Sequence, residues 1–282
     1  MAMTLEKLFD DPTDGKIVNN RLFNGIFPII IAAQMDGAEK NKLLHLLVLI
    51  CKKLIGIRGH IDRYNSHVEA ETNRVLNPKG VGESVNLSDD LFLEFDGFLV
   101  QVKSTLDYLV KAPTYIVGKK YWSLHTFGEK GAKVTSALGN LPKDLKKRAQ
   151  GFNELLIARN QAWLEGTIEA RDKINHFLDG GIDFRLFCVR QNSVGSLTVP
   201  MWSSDQPISE FMEAIWANIF RFCEDFLAIF LSLKLPDKTT VAHDHDNFPD
   251  PKSPWKLVMR EAFEKMIREK GYETAPFAER EP

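Results

Sequence analysis

Cysteine, charge of one sign and long apolar runs are all scarce in this sequence, and each scarcity narrows its chemistry. There are three cysteines, Cys51, Cys188 and Cys223, an odd number at wide spacing with no CxxC pair. Each lies among apolar neighbours, so buried thiols in a reducing compartment are expected, which points to a cytoplasmic protein. Neither sign of charge dominates: 36 Lys and Arg against 38 Asp and Glu leave a formal charge of −2. A surface given over to polyanions is therefore not written into the composition, and any basic patch must be local. The longest apolar stretch, Leu43 to Ile57, is interrupted by Lys52 and Lys53 and falls short of the roughly 18–20 residues that span a bilayer. Met1 to Lys7 carries no apolar signal core, and no membrane association is expected. Walker, GxGxxG, GxSxG and HExxH motifs are missing, so kinase, dehydrogenase, hydrolase-elbow and zinc-protease readings have no support and no cofactor is expected.

What is present is helical. At 282 residues and 44% hydrophobic content the chain can bury a full core without metals or disulfides. Residues 1–35 are ambiguous, with Phe23 to Ile31 apolar but carrying Gly25 and Pro28, an irregular buried segment or a broken helix. From Asp36 to about Leu76 apolar residues recur every three or four positions, from Leu43 through Leu47, Ile50, Leu54, Ile57 and Ile61 to Val68, which predicts a long amphipathic helix. Gly56 and Gly59 lie within it, as a kink or a place of close packing. Ser88-Asp89-Asp90 caps a second helix with a stripe of Leu91, Phe95, Phe98, Val102, Leu106 and Leu109. Residues 114–141 read as a long loop with at most one short helix. A third helical region runs from Leu141 to about Leu178 and stops at Gly180-Gly181. A hairpin follows over about 184–202, turning at Asn192 to Gly195. Ser209 opens a fourth, intensely apolar helix to Leu233, buried centrally or at a dimer interface. Residues 236–254 read as a linker, followed by a short helix from Pro254 to about Lys270 and a polar tail. The expected organisation is one main domain over 1–235 and an appendage over 236–282.

The segment Arg171-Asp172-Lys173-Ile174-Asn175-His176 carries the clearest chemistry. Five residues turn a helix by about 500°, which splays Arg171 and His176 about 140° apart. Asp172 and His176, four apart, share a face, as do Arg171 and Asn175. A carboxylate one turn before an imidazole orients the ring, and the helix C-terminus favours its charged form, so both effects suit His176 to acid–base work.

An arginine, an adjacent polar residue and a histidine near the end of a helix, in a helical protein, resemble the Rx4–6H motif of HEPN domains. Arg171, Asp172 and His176 carry the likeness, and the broader similarity is helical architecture over about 36–235, from which the hairpin departs. The resemblance implies an all-α HEPN-like bundle with one inserted β-hairpin. It also implies a metal-independent endoribonuclease, a toxin or nucleic-acid defence effector working as a homodimer with motifs of both copies lining one cleft. In that chemistry the ribose 2′-hydroxyl attacks the adjacent phosphorus, His176 moves protons, Arg171 stabilises the phosphorane and Asp172 holds the imidazole. Asn175 would bind phosphate or ribose. RNA and a cognate inhibitor or effector protein are the implied partners. The alternative reading is a catalytically silent helical module that binds a protein or nucleotide through the apolar fourth helix.

Other residues are weaker pointers. Lys119, Lys120 and Trp122 set charge beside an aromatic face, as single-stranded RNA binders do, and Lys143 to Arg148 forms a second basic cluster. Asp107 either faces the same cleft or is an exposed helix carboxylate. His60, Arg63 and His67 read as surface neighbours on the first long helix. His243-Asp244-His245-Asp246 alternates metal ligands, but no third cluster at ligand spacing joins it, so a polar linker and no metal site are expected.

Overall fold

The apolar stripes of the sequence become the buried faces of eight α-helices among the described residues. In this computed structural model those residues are 10–77, 88–128, 131–148, 157, 160–176, 187–191, 197–203, 205–236, 239–243 and 257–261. A 3-10 turn at Asp14–Lys16 leads into a π-helical segment, Val18–Phe23, and then α1, Asn24–Ala32, which contains Pro28. The long helix α2 runs unbroken over Gly37–Leu76, opened by Asp36, whose side chain accepts from the Ala38 N–H at 3.1 Å. Ser88 accepts from the Leu91 N–H to start α3, Asp89–Leu109, with Asp89 and Asp90 placed at the positive end of its dipole.

The centre of the molecule is the last helix, α8, Ile208–Ser232. It buries Phe211, Ile215, Ile219, Phe222, Phe226 and Phe230 against α1, α2 and α3. The Gln34 N–H donates to Lys234 C=O at 2.7 Å and joins the ends of α1 and α8. Most of its apolar side chains are covered by the chain itself. One buried carboxylate is admitted there. Glu224 is fully buried and receives two bonds from Arg21 of the π segment, at 2.7 and 2.5 Å. Burial pushes the Glu224 carboxyl up to about 7, against the pull of the Arg21 guanidinium.

Two connections differ from the sequence expectation. Residues 114–141 hold two short helices, α4, Ala112–Val117, and α5, Ala132–Gly139. The expected third helix is divided: α6 spans Lys143–Arg148, a turn closes from Asn160 N–H to Ile157 C=O at 3.0 Å, and α7 spans Gln161–His176. Asn160 also accepts from the Trp163 indole at 2.7 Å, a local side-chain bond that competes with continuing the helix. Within the expected hairpin, β1, Arg190–Gln191, pairs antiparallel with β2, Leu197–Thr198, and the turn between them lies outside the described residues.

The appendage departs further. Thr239–His243 forms β3 and Leu257–Glu261 forms β4, paired antiparallel from Thr239↔Glu261 to His243↔Leu257. Part of the expected linker is therefore a strand, and the expected helix from Pro254 holds a strand instead. The run Leu257-Val258-Met259 is too short for its spacing to separate helix from strand, and long-range pairing decides. This ladder lies against α1 and α8. No described helix is long and apolar enough to cross a membrane.

Candidate functional site

The register of α2 against α3 is antiparallel and can be read from four contacts. His67 Nδ1 lies 3.8 Å from Asp90, Arg63 Nε donates to Glu94 at 2.9 Å, the His60 ring sits over Gly97, and Gln101 rests on Gly56. Each step back along α2 is a step forward along α3. The tightest of these glycine contacts is at Gly97. A Cβ added there would stand 2.4 Å from His60 Cε1 and 2.9 Å from both ring nitrogens. Only a glycine leaves the notch in which the imidazole lies. The tight position is thus on α3, while Gly56 meets Gln101 at an ordinary 3.6 Å.

His60 Nδ1 is 2.6 Å from Glu94 Oε2 and 2.9 Å from Arg63 Nη2. A guanidinium only donates, so one ring nitrogen cannot serve both partners in the same way. The shorter contact to a carboxylate favours a proton on Nδ1, with Arg63 spent on the other carboxylate oxygen. Burial acts to raise Glu94, but Arg63 and His60 more than offset it and hold its carboxyl below the usual range. Asp96, two residues on, goes the other way. Burial raises its carboxyl, and the nearby Arg171 and His60 oppose that without cancelling it. Asp96 Oδ1 is buried without a hydrogen bond.

Arg171 arrives from α7, which packs on α3 and α8 by burying Leu164, Thr167, Ile168 and Ala170. Its Nη1 donates to Asp172 Oδ1 at 2.8 Å. Both α2 and α7 pack on α3, and His60 of the one and Arg171 of the other act electrostatically on Asp96 of α3. Asp172 gives an oxygen to the guanidinium of its own motif. The side chains of Asn175 and His176 lie outside the described residues. His176 is the last residue of α7.

Lys119 and Lys120 are exposed. Lys120 lines a pocket of about 400 Å³ with Tyr121, Ser123, Lys133, Ser136 and Asn140, and none of the residues around Arg171 belongs to that lining. Trp122 offers no stacking face. It is 1% exposed, donates its indole N–H to Val110 C=O at 2.7 Å, and packs edge-on against Phe230 at 5.0 Å. It is a core residue, as an indole with a satisfied N–H readily is. Asp107 is structural too: it accepts from Phe127 N–H at 2.7 Å and Lys103 Nζ at 2.6 Å, pinning the 118–128 loop to α3. All three cysteines are buried and free. His243 ends β3, and Asp244 to Asp246 lie outside the described residues. Among the described residues no cluster of His, Cys, Asp and Glu fits a metal ion.

The sequence reading missed His60, Glu94, Asp96 and Gly97 as a group. A helical Gly97 three residues after Glu94, facing a helix with His60 and Arg63 three apart, was the available signal. Comparison of the chain with protein-family models, curated proteins and solved structures gives no match.

Proposed function

We propose that the protein is a metal-independent endoribonuclease of the HEPN kind, acting at the junction of α2, α3 and α7. The observation that carries this reading is that Arg171, bonded to Asp172, and His60, bonded to Glu94, both act electrostatically on the Asp96 carboxyl. A guanidinium beside acid–base groups is what cleavage of a phosphodiester by its own 2′-hydroxyl requires. Arg171 neutralises charge growing on the phosphorane oxygens, and Asp172 fixes the guanidinium from the neighbouring position. His176 moves a proton at the reacting oxygens, and Asn175, one turn after Arg171, contacts phosphate or ribose.

The protein acts as a homodimer in this account. Leu93 and Val100 are 59% and 40% exposed and lie within a third of a turn of Asp96 and Gly97 on α3, which rims the polar junction with apolar surface for a second copy. A cytoplasmic toxin or nucleic-acid defence effector, held by a cognate inhibitor, is the setting this chemistry suits.

The test is digestion of total RNA in EDTA by wild type, Arg171→Ala and His176→Ala, with folding checked by thermal unfolding. Cleavage by wild type and its loss in both folded variants supports the reading. Equal cleavage by all three assigns the activity elsewhere.

A further inference from the structure

Between Gly118 and Asn140 the sequence carries four lysines against one glutamate, in a chain whose formal charge is −2. Two of these lysines, Lys120 and Lys133, line the pocket of about 400 Å³ between the 118–128 loop and α5, whose lining includes none of the residues around Arg171. We propose that this pocket binds a phosphate monoester carried on a small organic group, and that Lys120 and Lys133 neutralise its charge. The assignment does not rest on the ribonuclease reading.

Three features carry it. The first is the donor set. Besides the two ammoniums, the lining offers the Ser123 and Ser136 hydroxyls and the Asn140 amide, and no described lining residue is Asp or Glu. Ammoniums only donate, hydroxyls and an amide can donate, and a tetrahedral anion accepts from such groups on several sides at once. All five side chains are exposed, so a ligand reaches them from solvent. The second is the construction of the walls. Trp122 is drawn into the core by its indole bond to Val110 C=O, while its neighbours Tyr121 and Ser123 line the pocket. Lys120 Nζ lies 5.4 Å from the centre of the half-buried Tyr121 ring, which steadies the ammonium. Asp107, accepting from Phe127 N–H at 2.7 Å, holds the far end of the loop. The opposite wall is the face of α5 and its C-terminal cap on which Ala132, Ser136 and Asn140 recur at four-residue spacing, and Val134 and Leu138 bury the reverse face. The third is the field. Ala132 and Lys133, the first two residues of α5, both line the pocket, and no side chain caps the helix at Gly131. The positive end of the helix dipole therefore adds to the lysines. Lys133 reaches from α5 across to the end of the loop: a Cβ on Gly128 would stand 3.1 Å from its Cδ and 3.2 Å from its Nζ.

Size and charge narrow the ligand. About 400 Å³ lies at the lower end of the roughly 300–1,000 Å³ of small-molecule sites, and it exceeds what a bare inorganic ion fills. A phosphate monoester brings a charge of about −1.5 to −2 at neutral pH and three acceptor oxygens, which suits two ammoniums with hydroxyls beside them. An internal phosphodiester of RNA brings a single charge and fewer free oxygens, and it cannot enter a pocket end-on. A free phosphorylated small molecule and the 5′-phosphate end of an RNA share the monoester.

The experiment titrates the purified protein with adenosine 5′-monophosphate, adenosine and inorganic phosphate, following the backbone amides of Ser123, Ala132, Lys133 and Ser136 by NMR. A short 2′-O-methyl RNA, which cannot be cut through its 2′ position, is titrated with and without a 5′-phosphate. The nucleotide should shift these amides saturably with a Kd below about 1 mM, inorganic phosphate should shift them more weakly, and adenosine should leave them in place. Lys120→Gln and Lys133→Gln should each weaken the nucleotide about tenfold, since a charge-assisted bond is lost. Ser136→Asp should abolish binding by setting a carboxylate in the pocket. All three positions are exposed, so the fold is kept, and thermal unfolding checks it. A nucleotide that matches the 5′-phosphorylated strand supports a free small molecule as the source, and a strand about tenfold tighter or more supports an RNA end. No saturable shift by about 10 mM nucleotide, equal shifts by adenosine, unchanged affinity in both lysine variants, or equal binding of the strand without its 5′-phosphate would each overturn the assignment. A wild type that binds the nucleotide here and cuts no RNA keeps this site and loses only the ribonuclease.

Discussion

Replacing Gly97 by alanine separates what holds the helices from what seats the His60 ring. In a helix interior alanine is favoured over glycine by about 1 kcal/mol. Against this, the new Cβ would stand 2.4 Å from His60 Cε1, so the ring or the backbone must move. The ring is the softer element, because rotation about its side-chain bonds frees it while α2 and α3 stay in place. Leaving the notch breaks the 2.6 Å bond to Glu94, a charge-assisted contact worth about 1.5 kcal/mol at the low end suited to a partly exposed pair. The two terms nearly cancel, and Gly97→Ala should change unfolding free energy by about 1 kcal/mol or less while freeing the ring from Glu94. Chemical denaturation gives the first quantity and NMR of the His60 ring the second. A double-mutant cycle with His60→Ala sharpens it: without the imidazole, Gly97→Ala should stabilise by the full ~1 kcal/mol. A loss of ~3 kcal/mol or more in the single variant would show that the helices move rather than the ring. An unmoved ring would show that it does not depend on the notch. Either result refutes the reasoning.

Other perturbations test the frame. Glu224 holds a proton in the folded chain between its ordinary range near 4.5 and about 7, where the unfolded chain has released it. Wild-type stability should therefore fall as pH rises through that window, by up to ~3 kcal/mol, and Glu224→Gln should flatten the curve in urea titrations at pH 4.5 to 7. Phe222 is 1% exposed and meets Phe127, Trp163 and Phe226 at ring separations of 6.1, 5.8 and 5.9 Å. Phe222→Ala should cost about 3–5 kcal/mol in chemical denaturation, and a cost below ~1 kcal/mol would contradict the packing. Asp107→Ala removes the acceptor of the Phe127 N–H, and hydrogen exchange should show that amide losing protection while amides inside α8 keep theirs.

The helices with one-sided stripes were legible because their periodicity is local. The buried positions of α2, α3 and α8 follow the three- and four-residue spacing, and Asp36 and Ser88 cap where short polar residues precede a stripe. What stayed hidden depends on pairings far apart in the chain. β4 finds β3 across the intervening residues 244–256, and no local pattern in Leu257 to Glu261 declares that partner. Trp122 next to two lysines looked like a stacking surface, yet the acceptor that draws it inward, Val110 C=O, belongs to the end of α3. The site divides the same way. Arg171 and Asp172 are neighbours in sequence and could be found there, whereas His60 and Glu94 meet only once α2 and α3 run antiparallel. His60 and His176 stand far apart in the sequence, and only His176 lies in a recognisable motif.

The most direct test of the central claim is the chemistry of the cut ends. The purified protein is incubated with a defined single-stranded RNA in EDTA, and the fragments are weighed by mass spectrometry. Attack by the 2′-hydroxyl, driven by an imidazole and a guanidinium, leaves a 2′,3′-cyclic phosphate and a 5′-hydroxyl at every cut. Ends bearing a 3′-hydroxyl and a 5′-phosphate, or intact RNA from folded protein, would contradict the account.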